Sequence, residues 1–138
     1  MRRIVSLALL GVVFIAVGVA ATVLHPDELL GTWSNVDPLT AGLGKIRIAV
    51  SATGGLDVYG YGICAPSYCE WGSTPLLLAS MPPRYEPEWA FAIWNLDPIM
   101  TVMIFTREGG FLVVETFTYW TDGMGMPLRE IALLRHIE

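Results

Sequence analysis

The sequence predicts an all-β protein, an eight-stranded antiparallel up-and-down barrel. Three observations predict it. After residue 29 no sustained helical period appears, and short β-type runs alternate with Gly, Pro, Asn and Asp turns instead. The connections have hairpin length, whereas parallel strands need crossovers of a dozen or more residues. Eight strands are enough to close a barrel, and closure removes exposed edges. A two-sheet sandwich is the alternative.

The chain opens with Met1-Arg2-Arg3 and an uncharged apolar run from Ile4 to Leu24. Two arginines, an apolar stretch from Leu7 to Val17 and the small residues Val19-Ala20-Ala21 read as an export signal, residues 1–21, cleaved before Thr22. The alternative is an uncleaved anchor, because the run is about as long as a bilayer core. Residues 22–29, with the acidic His25-Pro26-Asp27-Glu28, read as a linker. Residues 30–138 form a single domain, large enough for its own core.

The strands follow in order. Leu30 to Val36 is the first. Gly44 to Ala52 alternates Ile46, Ile48 and Val50 against Lys45 and Arg47, the period of two of a half-buried strand. Thr53-Gly54-Gly55 turns it into Leu56 to Gly62. Glu70 to Ala79 is the fourth, with Pro75 implying an edge or a bulge. A proline-rich loop, Met81 to Pro87, leads to Glu88–Trp94. Asn95 to Pro98 turns into Ile99–Thr106, and Arg107 to Gly110 turns into Phe111–Trp120. A Gly-rich loop, Thr121 to Pro127, precedes the last strand, Leu128 to His136.

Cys64 and Cys69 are the only cysteines. In an exported chain they read as a disulfide closing a tight loop. The ring is short, so in the chain-entropy model it stabilises by on the order of 2 kcal/mol, and its chief role is to shape the loop.

Two resemblances attach to these residues. Gly31-Thr32-Trp33 at the start of the meander resembles the Gly-x-Trp opening of the lipocalin and avidin-like ligand-binding barrels. That resemblance implies a late arginine, here Arg135, packed over Trp33. The chain also resembles small exported bacterial β-barrel domains of undefined function. The carrying residues are Trp33, Asn35, Asp37, Thr40 and Gly42, then Gly62, Cys64, Pro66, Cys69, Trp71 and Gly72. Thr116-Phe117-Thr118 and Asp122-Gly123-Met124-Gly125 complete the pattern, which departs at Met126, where such domains tend to carry Arg. This likeness supports fold and export and implies no catalytic residue.

Composition narrows the functional classes. Without Arg2 and Arg3 the eight basic residues become six, against 13 acidic ones, for a net charge of −7. Such a surface repels phosphate backbones, so no nucleic-acid partner is expected. The two histidines, His25 and His136, stand at opposite ends of the domain, so neither a metal site nor another cofactor is expected. There is no nucleophile elbow, and Glu86 and Glu88 sit in an exposed proline-rich loop, so no enzyme is expected.

Aromatic residues are the best functional clue. Tyr59, Tyr61, Trp71, Trp94 and Trp120 fall near predicted strand ends, where a barrel mouth would lie, and are the candidates for binding a small apolar or aromatic ligand. Core filling is the competing reading. Strands five and six are apolar on both faces: Trp89, Phe91 and Ile93 against Ala90, Ala92 and Trp94, then Met100, Val102 and Ile104 against Ile99, Met103 and Phe105. One face fills the barrel. The other calls for a cover, either a second copy of the chain across residues 89–105 or the Met81–Pro87 loop. The expected function is therefore an exported, non-enzymatic binding barrel, secreted or in the cell envelope. A structural, oligomer-forming role is the alternative.

Overall fold

The structure, a computed structural model, describes residues 22–64 and 67–138; the expected signal segment lies outside them. All eight strands form: β1 Gly31–Asn35, β2 Leu43–Val50, β3 Leu56–Cys64, β4 Ser67–Ala79, β5 Trp89–Asn95, β6 Ile99–Glu108, β7 Phe111–Trp120 and β8 Leu128–His136. Each pairs antiparallel with the next, and β8 pairs with β1 through Trp33–Asn35 against Leu134–His136. The sheet is a closed barrel, not a sandwich. The β3–β4 hairpin runs further than the sequence suggests, with Cys64 opposite Ser67 across the disulfide.

Alternation sorts the side chains as the period of two demands. Ile46 and Ile48 of β2, Val58 of β3, Ala90 and Ala92 of β5, Met103 and Phe105 of β6, and Leu112 and Val114 of β7 are all buried in one core. Part of this core lies at the end where β1 begins. Here the expected linker proves to be the barrel floor. Pro26–Leu29 forms a single helical turn, α1, and its last residue, Leu29, is fully buried, as is Leu24 just before it. Proline suits the first turn, because its missing N–H would have no helical partner there. The Leu24 N–H also bonds the Pro87 carbonyl at 2.7 Å, which ties the proline-rich loop to the floor.

Trp33 is buried at this closed end and donates its indole N–H to the Leu29 carbonyl at 2.9 Å. The expected partner does not cover it. Arg107, at the end of β6, stands over the Trp33 ring at 5.5 Å, and His136 packs edge-on at 4.9 Å. Parity explains the correction. His136 is the residue paired with Trp33, so Arg135 points to the other side of the sheet. It lines an outer concavity of about 310 Å³ with Asn35, Asp37 and Tyr68. Gly31 (φ +109) belongs to the same corner, where a Cβ would collide with the Glu138 carbonyl and the His136 ring.

The β4–β5 seam is the gap in the ladder. Only Leu77–Ala79 pairs with Trp89–Phe91. Pro75 lies just before that stretch and cannot donate, so above it β4 is locally an edge, as its proline implies. Side chains bridge the gap. The Thr74 hydroxyl donates to the Ile93 carbonyl at 2.7 Å, and the Trp94 indole N–H to the Gly72 carbonyl at 3.2 Å.

Candidate functional site at the barrel mouth

The opposite end of the barrel carries the 36–42, 96–98 and 121–127 connections and the disulfide-closed tip of β3–β4. Cys64 and Cys69 are bonded, with Cα atoms 5.4 Å apart, and among the described residues no cysteine is free. Going from floor to mouth, the inward positions change character. Phe105, Leu112 and Leu134 give way to Thr101, Thr116, Thr118 and Glu130. The ladders place Thr116 between Met103 and Glu130, and Thr118 between Thr101 and Leu128. Leu128 and Glu130 are exposed although their positions face the lumen, so the barrel is open here.

Trp71 reaches this mouth through a bulge. The β3–β4 register shifts between Gly60 and Tyr61, so Trp71 and Gly72 together fill one step of the ladder. Gly72 takes φ +78, a conformation suited to glycine. The indole then lies flat across β3. Cβ atoms added to Gly60 and Gly62 would meet its ring atoms at 2.9 Å in both cases. Two inward glycines thus make room for one large ring. Trp94 meets it edge-on, with centroids 6.2 Å apart and planes at 82°.

Two polar groups complete the cup. The Thr101 and Thr118 hydroxyls are 3.4 Å apart, a long contact. Thr116 is 3% exposed, yet its hydroxyl has no partner among the described residues. A buried hydroxyl without a hydrogen bond costs on the order of 1–3 kcal/mol. Glu130 lies against the Gly42 backbone, where an added Cβ would sit 2.6 Å from a carboxylate oxygen. None of the three ion pairs among the described residues involves Glu130.

The sequence-derived aromatic set divides. Trp71 and Trp94 meet in the mouth. Trp120 stands on the rim beneath Gly125, where an added Cβ would strike its indole. Tyr59 and Tyr61 do not belong to the site. They alternate with inward Val58, Gly60 and Gly62, so they face outward. Arg47 stands over Tyr59 at 4.0 Å, and Lys45 lies 4.6 Å from Tyr61 and 4.7 Å from Tyr68. The residues the aromatic reading missed are Thr101, Thr116, Thr118 and Glu130. Their signal was present: Thr116 and Thr118 break the apolar face of β7 at two successive inward positions.

No protein family, curated protein or solved structure matches this chain.

Proposed function

We propose that this is an exported, non-enzymatic barrel that binds a small molecule at its mouth. The carrying observation is the Thr116 hydroxyl, buried without a partner beside Glu130, one inward position from the ladder that holds Thr118, Thr101 and Trp94. A hydroxyl in that state is stabilised by any ligand that bonds it. The flat indole over Gly60 and Gly62 supplies a stacking surface at little entropic cost, because bulge and packing already hold it. Phe105, Leu112 and Leu134 fill the barrel interior toward the floor, while Leu128 and Glu130 leave the other end open. The test is to incubate the purified protein in cell extract, re-isolate it and identify what it retains by native mass spectrometry. A retained small molecule that is lost in Trp71→Ala supports the reading. A wild type that comes back empty rejects it.

A second reading rests on the outer face of β5–β8. Phe91 stands opposite Ile104, Ile93 opposite Val102 and Val113 opposite Leu133, all turned outward. Ile93, Ile131 and Leu133 are 44%, 63% and 37% exposed. The proline-rich loop is tied to the floor at Pro87 and leaves Met81 to Glu86 exposed. An open apolar face of this kind fits a second copy of the chain. The Glu115–Arg129 pair in its middle is self-complementary about a two-fold axis. Light scattering at micromolar concentration decides this reading: a dimer or larger supports it, and a monomer rejects it.

A further inference from the structure

We infer that the mouth selects a small organic cation, an amine or quaternary ammonium group on a short apolar body. This rests on the mouth being the binding site and adds the chemical class of its occupant.

Three independent features converge. The first is aromatic. Trp71 lies against Gly60 and Gly62, and Trp94 meets it edge-on at 82°. Tryptophan faces are the strongest aromatic partners for ammonium groups. The second is charge. Glu130 stands in the same layer as Thr116, its ladder neighbour, and has no ion-pair partner among the described residues. A carboxylate outside any ion pair at the open end repels an anion and attracts a cation. The third is the rim. Each of the 36–42, 96–98 and 121–127 connections carries one aspartate, Asp37, Asp97 or Asp122, and none carries Lys, Arg or His.

These three aspartates do not act by contact. Asp37 accepts the Leu39 N–H, Asp122 the Met124 N–H and Asp97 the Thr121 hydroxyl. Asp97 and Asp122 add negative charge to the rim, whereas Asp37 shares the outer concavity with Arg135. The cations of the neighbouring strands face away from it. Lys45 and Arg47 lie on the outer tyrosines, Arg129 pairs with Glu115 outside β7, and Arg135 lines the outer concavity. A neutral aromatic ligand would use the two indoles and leave Glu130 without a role. A carboxylate or phosphate ligand would face the acidic rim directly. The Thr116 hydroxyl, free to accept or donate, suits a polar atom next to the charged centre.

The experiment compares two probes of nearly equal shape, choline and its neutral carbon isostere 3,3-dimethyl-1-butanol. Each is titrated into the purified domain and followed by the Trp71 and Trp94 indole N–H signals in NMR. Choline should shift both and bind about tenfold or more tightly than the isostere. Glu130→Gln should erase most of that preference without lowering the melting temperature, because Glu130 is exposed and unpaired. Equal binding of both probes at these indoles overturns the cation inference and leaves the mouth as a binding site. Failure of choline to shift either indole also overturns it, and the extract experiment then decides separately whether the mouth binds anything. A preference for choline that survives Glu130→Gln removes the carboxylate from the account and overturns the charge argument.

Discussion

Arg107 donates to the Glu28 carbonyl at 3.1 Å and stands over Trp33, so it joins α1 to the first strand. Arg107→Ala should destabilise the domain by about 1–2 kcal/mol, from the lost cation–π contact and hydrogen bond. It should also shift the Trp33 emission to the red, whereas Arg135→Ala should do neither. A urea melt followed by fluorescence measures both effects. The two arginines also mark how far residue-level reading reaches. Trp33 was legible as a buried anchor from Gly31-Thr32-Trp33. Its cation was not, because the β1–β8 register decides between Arg135 and its neighbour His136, and register is not written in either strand alone. At the mouth, Gly60→Val would push its side chain into Trp71 and lift the indole from β3. The expected cost is about 1–3 kcal/mol of overpacking. Any ligand held by Trp71 should be lost with it, which a binding titration on the folded variant would show.

At the scale of elements, β5 and β6 show why alternation alone was ambiguous. Both faces of each strand are apolar, so the period of two separated the faces without saying which was inside. Burial decides it: Ala90, Ala92 and Trp94 face in, while Phe91 and Ile104 face out as a cross-strand pair. Phe91→Glu and Ile104→Glu should therefore both leave the melting temperature nearly unchanged and dissociate any oligomer. Ala92→Glu, on the inner face, should unfold the domain, since a buried unpaired charge is costly. Circular dichroism and light scattering on the three variants check this together. By their place near a strand end, Tyr59 and Tyr61 read as mouth residues, without regard to which face they take. Their glycine neighbours looked featureless, yet Gly60 and Gly62 are the inner positions, left small for an indole arriving from β4. The Trp71–Gly72 bulge reverses parity within β4, and no count of alternating residues reveals a bulge. The disulfide at this hairpin tip is a local device. Replacing both cysteines by serine should cost about 2 kcal/mol. Hydrogen exchange should quicken at Ile63 and Tyr68 and stay slow at Val58 and Leu76, nearer the floor.

For the whole molecule, a closed meander explains the division between ends. The floor is finished by α1, Trp33, Arg107 and His136; the Trp33 indole N–H is bonded there, while the Arg107 Nε is buried without a partner among the described residues. The mouth holds an unpartnered hydroxyl, a carboxylate outside the three ion pairs and a tryptophan pair. Closure itself was legible, because eight hairpin-linked strands have few other ways to hide their edges. The floor was not, because a single helical turn is too short to show a period, and His25 to Glu28 are as polar as any linker. The central claim is that the mouth's polar residues are kept for a ligand at some expense to the empty barrel. Thr116→Val measures it most directly, since valine has nearly the same shape without the hydroxyl. If the claim holds, the ligand-free variant melts higher than wild type, by about 1 kcal/mol or more of added stability, and retains less of the molecule that wild type captures. A variant that melts lower, or that captures as much ligand as wild type, would contradict it.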